Sequence, residues 1–425
     1  MSDPVTPFRA PTGTHDVLGP ASAQWEGLVA TFAELAFRYG FQMVITPLFE
    51  EVGVFNRGIG EDSDVAKKEM YVFSDRGDRV YALRPEGTAP VVRAFIQHAP
   101  TTPFKAWYVA PAFRYERPQA GRYRQHTQLG VEVLGTDDPA VDVEVIALAA
   151  RFYERIGLTR VSLMVNSMGH AACRAEYLAI LSDYLSAHAG ELCDEHATRW
   201  AQNPLRVLDC KQPECVAVTD AGPQLSDHLC ADCREHFAAV TRGLDALGIA
   251  WTRNPRLVRG FDYYTRTTFE FAAQALDAAQ NAVGGGGRYD GLSEQLGGPA
   301  VGGIGFGSGV ERLLLAREAE GVTHDLLRRT LDVFVVDTTG TDAATPLVDE
   351  LRAAGLAVDR AYDGRSMKAQ MRVADRSGAR WAVIVGPQEV AAGEVTMRDL
   401  RGDESATSQR RVARADLVAA LSEAT

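Results

Sequence analysis

The stretch that most restricts how this chain can fold is the alternating segment Phe113–Leu134. On its returning half, Thr127, Leu129, Val131 and Val133 share one face, while His126, Gln128, Gly130 and Glu132 share the other. Period-two alternation belongs to a strand, and the first face is core. The second carries an amide and a carboxylate where a sheet covered on both sides would carry aliphatics. On the outgoing half Arg114 and Glu116 share a face, and the connection Arg117-Pro-Gln-Ala-Gly-Arg-Tyr-Arg124 holds three arginines. Two readings fit. One is a solvated antiparallel hairpin with a polar outer face. The other is a sheet that presents arginine to nucleotide phosphates, with a basic loop suited to a phosphodiester strand.

A second segment, Leu257-Val-Arg-Gly-Phe-Asp-Tyr-Tyr-Thr-Arg-Thr-Thr-Phe-Glu270, reads either as an ordinary edge strand with an ion pair or as a face for a ligand with a carboxylate or phosphate and a polar ring. From Tyr263 to Phe271 it is rich in aromatic and β-branched residues, which predicts a strand with Tyr263 and Tyr264 on opposite faces. Arg259 beside Gly260 allows backbone and guanidinium to approach a ligand closely. The glycine runs Gly284–Gly287 and Gly302-Gly-Ile-Gly-Phe-Gly-Ser-Gly309 punctuate the return of the chain to the core.

Around these segments the 425 residues divide into parts. Helical spacing runs from Gln24 to Tyr39, a strand is predicted from Phe41 to Pro47, and Thr88–Gln97 is predicted helical. Lys105–Leu134 is two strands around the basic loop, and Arg160–Val165 is another strand. Residues 166–254 hold all six cysteines and several short helices, the character of an insertion. A charged linker is predicted after about Ala316. Strands at Leu331–Val336, Leu356–Asp359 and Trp381–Gly386 then alternate with helices at Thr345–Ala354 and Ser366–Asp375, which predicts a small α/β domain with a largely parallel sheet. The fold class is α/β: an antiparallel-sheet domain over 1–325, a mostly helical insertion over 167–253, and a C-terminal α/β domain over 330–425. No apolar run reaches the roughly 20 residues of a membrane helix. The N-terminal residues lack a basic and an apolar region, which predicts no signal peptide and a cytoplasmic location. A net charge of −12 argues against a general nucleic-acid sink, while leaving room for a local basic patch.

Several of these blocks resemble the histidine–tRNA ligases (histidyl-tRNA synthetases) of the class II aminoacyl-tRNA synthetases. The segment from Leu257 is similar to a signature peptide of that family, Phe113-Arg-Tyr-Glu116 to the second class II motif, and Gly303-Ile-Gly-Phe-Gly-Ser-Gly-Val-Glu-Arg312 to the third. Phe41–Pro47 ends as the first motif does, and Gly284-Gly-Gly-Gly-Arg-Tyr-Asp-Gly-Leu292 matches a second signature. The resemblance implies ATP-dependent attachment of L-histidine to tRNA(His) through histidyl-adenylate, with Mg2+, in a homodimer. It places Arg259, Arg114 and Arg312 on the phosphates as the catalytic cations. Arg114, Glu116, His126 and Arg312 would bind ATP, with His126 standing where the family more often has a phenylalanine. Glu86, Thr88, Gln128, Glu132, Tyr263 and Tyr264 would surround histidine, and Gln119, Arg122 and Arg124 would reach the tRNA acceptor end. Glu86, just before a helix start, also reads as a cap. The resemblance further suggests that the last domain binds the anticodon, where Lys368, Arg372 and Arg376 share one helix face. The rival within the family is an inactive histidine-sensing regulatory paralogue, which usually lacks that domain and erodes the motif arginines.

Cys210-x4-Cys215-x14-Cys230-Ala-Asp-Cys233 has the spacing of a four-thiolate structural zinc site. The same four residues also fit reduced thiols in a small core. Cys173 and Cys193 read as bystanders.

Overall fold

The computed structural model describes residues 7–60, 65–258, 261, 263–277, 281–324, 326–327, 330–402 and 409–423. The chain divides into two compact units, Met1–Leu327 and Arg328–Thr425.

The first unit is built on an eight-stranded sheet: β1 (Gln42–Met43), β2 (Phe104–Phe113), β3 (Gln125–Leu134), β4 (Val161–Ser167), β5 (Thr252–Arg253), β6 (Thr265–Ala273), β7 (Ala282–Arg288) and β8 (Gly303–Gly309). Their spatial order is β1-β2-β3-β8-β7-β6-β4-β5. The six central strands are antiparallel neighbours, and the two-residue strands at the edges pair parallel. Leu129, Val131 and Val133 of β3 join Phe269 and Phe271 of β6 in a core closed by the helices Ala21–Arg38, Pro139–Arg155 and Val310–Ala319. That core covers one face only, which frees the opposite face for a site. A three-stranded sheet, Phe49–Glu51, Val72–Ser74 and Val80–Leu83, precedes the helix Thr88–His98.

Several expectations need correction. Within the stretch Phe41–Pro47 only Gln42 and Met43 pair in the sheet, because Thr46 and Pro47 turn their carbonyls to the buried Arg84 guanidinium (3.0 and 3.2 Å). The strand expected from Tyr263 begins at Thr265, so the two tyrosines are not split across a sheet. In place of a linker after Ala316, a helix continues to Ala319 with Arg317 buried and donating to the His324 carbonyl at 2.7 Å.

The inserted residues fold as helices, the longest being Ala171–Ala187 and Ala231–Ala246. They enclose their own core, including Tyr177, Leu181, Leu208 and Val218. Helix Ala231–Ala246 also sends Val240 and Leu244 into the main core.

The second unit is a five-stranded sheet: β9 (Val333–Asp337), β10 (Val358–Arg360), β11 (Trp381–Val385), β12 (Glu394–Asp399) and β13 (Gln409–Ala413), ordered β10-β9-β11-β12-β13. The pairings β10–β9 and β9–β11 are parallel, while β12 and β13 add antiparallel. The sheet is therefore mixed rather than largely parallel. The difference arises because Gly393, with φ +68°, turns the chain straight back into β12.

Candidate active site

A cleft of about 230 Å³ opens on the face of the large sheet opposite the core. Its floor is made by strand pairing. Gly305 lies opposite Glu132, Gly307 opposite Gly130 and Gly309 opposite Gln128. A Cβ on Gly305 would lie 1.8 Å from Glu132 Oε2, and one on Gly307 would lie 2.2 Å from Gln128 Nε2. The glycines of β8 thus vacate the space that the polar side chains of β3 fill.

Most of the predicted histidine contacts line this cleft. Glu86 and Thr88 line it, and Glu86 caps the helix Thr88–His98 as well: Ala89 N–H donates to its Oε1 at 2.9 Å. Cap and cleft wall are here the same residue. Burial raises the Glu86 carboxyl above its ordinary range. Gln128 donates from Nε2 to the Tyr108 hydroxyl (3.3 Å), and its Oε1 is buried with no hydrogen-bond partner. That orphaned acceptor faces a cleft and suits an ammonium donor on a ligand. Tyr263 and Tyr264 both line the same cleft, with ring centroids 4.6 Å apart. They are not split between two faces. Arg174 of the insertion donates to the Tyr264 carbonyl.

Glu132 does not line the cleft but lies fully buried behind it. Thr88 Oγ1 (2.8 Å) and the Tyr108 hydroxyl (3.2 Å) donate to its Oε1, and the Tyr289 hydroxyl donates to Oε2 at 2.5 Å. Burial outweighs these three donors and pushes the carboxyl up to about 8. Glu132 therefore orients Thr88 and Tyr289, which do line the cleft.

Two of the predicted cations line the same cleft. Arg114 lines the cleft, donates from Nε to the Pro85 carbonyl (2.9 Å) and lies over the Phe261 ring at 5.6 Å. Arg312 lines it from the start of helix Val310–Ala319. Burial first, then the nearby Arg122, lowers its pKa from the ordinary arginine value. Glu116 stands just outside, 3.9 Å from Arg114 and 3.6 Å from Arg122. His126 lines the cleft, and burial, with a smaller contribution from Arg114, holds its imidazole down at about 3, so the ring is neutral. Arg259 lies outside the described residues.

In the basic loop Gln119 and Arg122 are exposed, whereas Arg124 is held with its guanidinium 3.9 Å over the Tyr115 ring. On helix Met367–Arg376 of the second unit, Lys368, Arg372 and Arg376 are exposed and Gln370 and Ala374 are buried.

Four residues of the site escaped the sequence reading. Tyr289 sits inside the quoted glycine-rich block, and Glu270 closes the signature segment. Glu311 accepts the Thr127 N–H with both oxygens (2.9 and 3.0 Å), which pins the helix that carries Arg312 to β3. Tyr108 left a faint signal: it alternates with Ala106, Ala110 and Ala112, small residues that make room for its ring on that face.

The cysteines do not form one four-thiolate site. Cys210 and Cys215 group with Cys193 and His196, and Cys230 and Cys233 group with Cys173 and His170. The long spacer had suggested that the pairs meet, but each pair finds its complement near a different helix start.

The family model described as histidyl-tRNA synthetase matches residues 13–313, and one described as anticodon binding domain matches 332–424. The chain is 49% identical over 396 residues to a histidine–tRNA ligase of Desulforudis audaxviator, covering 92% of this chain and 93% of the relative. It is 46% identical over 426 residues to the ligase of Corynebacterium efficiens, covering 99% and 97%. Among solved structures, the apo histidyl-tRNA synthetase of S. aureus superposes with a TM-score of 0.81 at 36% identity, covering 97% and 99% of the two chains. The chain belongs to the histidyl-tRNA synthetase family.

Proposed function

We propose that this chain attaches L-histidine to tRNA(His), with ATP consumed to AMP and diphosphate. The observation that carries this reading is one cleft lined by Arg114 and Arg312 together with Glu86, Thr88 and Gln128. In the first step a histidine carboxylate oxygen attacks the α-phosphorus of ATP, the bond to the β-phosphate bridging oxygen breaks, and diphosphate leaves with that electron pair. The carboxylate is already ionised, so no general base is needed. In the second step a terminal ribose hydroxyl of the tRNA attacks the acyl carbon, its proton is lost, and AMP leaves. Arg114 and Arg312, joined by Arg259, neutralise charge that develops on the phosphates. Neutral His126 provides a flat ring for the adenine. Glu86 and the free oxygen of Gln128 hold the α-ammonium group. Tyr264 and Glu132, the latter acting through Tyr289 and Thr88, match the donor and acceptor of the imidazole.

Magnesium fits the same cleft: Glu270 lines it beside Arg312, and its carboxylate is the hard oxygen donor this ion prefers. Bound there, the ion would neutralise phosphate charge.

Residues 1–325 serve as catalytic domain, 167–253 as its insertion, and 330–425 as the anticodon-binding domain, with Lys368, Arg372 and Arg376 on the RNA. Gln119, Arg122 and Arg124 belong to the acceptor-end loop, where Arg124 acts by stiffening it through Tyr115. The chain works as a homodimer in the cytoplasm: Met43, Ile45, Leu48 and Phe49 around the first motif are exposed apolar side chains that a second copy would cover. Among the described residues no helix is long and apolar enough to cross a membrane. The regulatory-paralogue reading is disfavoured because Arg114 and Arg312 remain in the cleft and the second unit matches an anticodon-binding family. Histidine-dependent ATP–pyrophosphate exchange tests the proposal. Robust exchange followed by charging of tRNA(His) supports it, and binding of histidine without exchange points to the regulator.

A further inference from the structure

The six cysteines of this chain, all of them free thiols, sort with two histidines into two quartets of identical composition. The first is His170, Cys173, Cys230 and Cys233, and the second is Cys193, His196, Cys210 and Cys215. Within each, one donor atom from every residue lies within 4.8 Å of all the others. Tetrahedral zinc with Zn–S bonds of about 2.3 Å separates neighbouring donors by about 3.8 Å. Here Cys230 Sγ is 3.8 Å from His170 Nε2, Cys193 Sγ is 4.0 Å from Cys210 Sγ, and Cys215 Sγ is 3.9 Å from His196 Nδ1. A core of reduced cysteines has no reason to recruit an imidazole to each thiol trio.

Local backbone geometry points the same way. In the first quartet Cys230 N–H donates to Cys173 Sγ (3.3 Å) and Cys233 N–H to Cys230 Sγ (3.5 Å). In the second, Cys193 N–H donates to Cys215 Sγ (3.4 Å). Backbone donors aimed at sulfur stabilise thiolate charge, the form that binds metal. Metal at His170 Nε2 requires the ring proton on Nδ1, so the Cys173 N–H that donates there now (3.2 Å) would turn away. The spacings His-x2-Cys, Cys-x2-Cys and Cys-x2-His place paired ligands at the starts of helices Ala171–Ala187, Ala231–Ala246 and Asp194–Arg199.

We propose that the insertion holds two structural Zn2+ ions, one in each Cys3His quartet. The sites brace the segment that carries the signature tyrosines. Arg174, next to Cys173, donates to the Tyr264 carbonyl, and Arg256 donates to the Cys210 carbonyl at 2.6 Å. Each quartet thus adjoins one tether of the segment between Arg256 and Tyr264. The proposal does not depend on the reaction assigned above.

The test is metal content of the full chain, purified without added metal and passed over a chelating resin. About two zinc ions per chain are expected, about one in Cys173→Ser/Cys233→Ser and about one in Cys193→Ser/Cys215→Ser. Less than about 0.2 zinc per wild-type chain overturns both sites, and about one that only one double substitution removes overturns the other site. Should a variant fail to fold, Co2+ titration of metal-stripped wild-type protein reads the same question. Tetrahedral thiolate bands saturating at about two equivalents support the proposal, and saturation at about one or no bands overturns it.

Discussion

Glu132 and His126 leave β3 on the same face, yet burial drives their proton equilibria toward neutrality from opposite directions. Glu132, lifted from the ordinary 4.5 to about 8, keeps a proton in the folded chain that the unfolded chain releases. Its contribution to stability is intact at low pH and is lost as pH rises between those two values. Glu132→Gln, which keeps an acceptor for Thr88 and Tyr108, should flatten that slope in urea-midpoint measurements while leaving the fold intact. An unchanged slope would assign the proton elsewhere. His126, pulled from 6.5 to about 3, behaves with the opposite sign: stability is complete above 6.5 and falls as pH drops toward 3. His126→Phe should remove that acid-side loss and retain exchange activity, since a neutral flat ring is kept. For the cations, Arg312→Ala is expected to lower the exchange rate by about 10²–10³-fold with an unchanged unfolding midpoint, the usual cost of deleting one preorganised charge donor. A loss under about threefold would remove Arg312 from the phosphate site.

Helix Val310–Ala319 shows how an element, rather than a residue, aims a charge. Glu311 accepts the Thr127 N–H and so fixes the first turn that carries Arg312. Glu311→Ala should reduce kcat by about tenfold or more, the sensitivity expected of a small misplacement. Glu311→Gln, which still offers an oxygen to Thr127, should restore most of it. A merely structural role would move both variants alike. The alternation of β3 made its two faces readable without coordinates, and the glycines of β8 were readable only as punctuation of the chain. What they approach was not readable, because strand order joins β3 to β8 across about 170 residues of chain. The same non-local pairing hid Glu132 behind the cleft, since period two states which face a side chain takes and not how deep it sits. Cysteine spacing misled for a related reason: ligands separated by whole helices pair by topology, not by sequence proximity.

At the scale of the molecule, the proposed function puts RNA binding on the exposed stripe Lys368, Arg372 and Arg376 of the second unit and adenylate chemistry in the cleft of the first. Lys368→Glu/Arg372→Glu should raise KM for tRNA, leave histidine-dependent exchange untouched, and reduce the salt slope of binding by about 1.4 if two phosphate contacts to unpaired RNA are lost. Unaltered charging kinetics would place the RNA contact elsewhere. The two units therefore invite separate assays.

The insertion is less detachable. Its last helix supplies His236, whose Nε2 meets the buried Asp142 carboxylate at 2.8 Å, and Asp142 in turn receives the Arg288 Nε at 2.8 Å. Arg288 ends the glycine-rich strand, next to Tyr289 of the cleft wall. A truncated enzyme made by cutting at the sequence borders of the inserted residues would strip that imidazole and leave a sealed carboxylate with a single cationic neighbour. Engineers who want a minimal ligase, or a chimera with a foreign insert, should splice upstream of Ala231 and carry the final helix along.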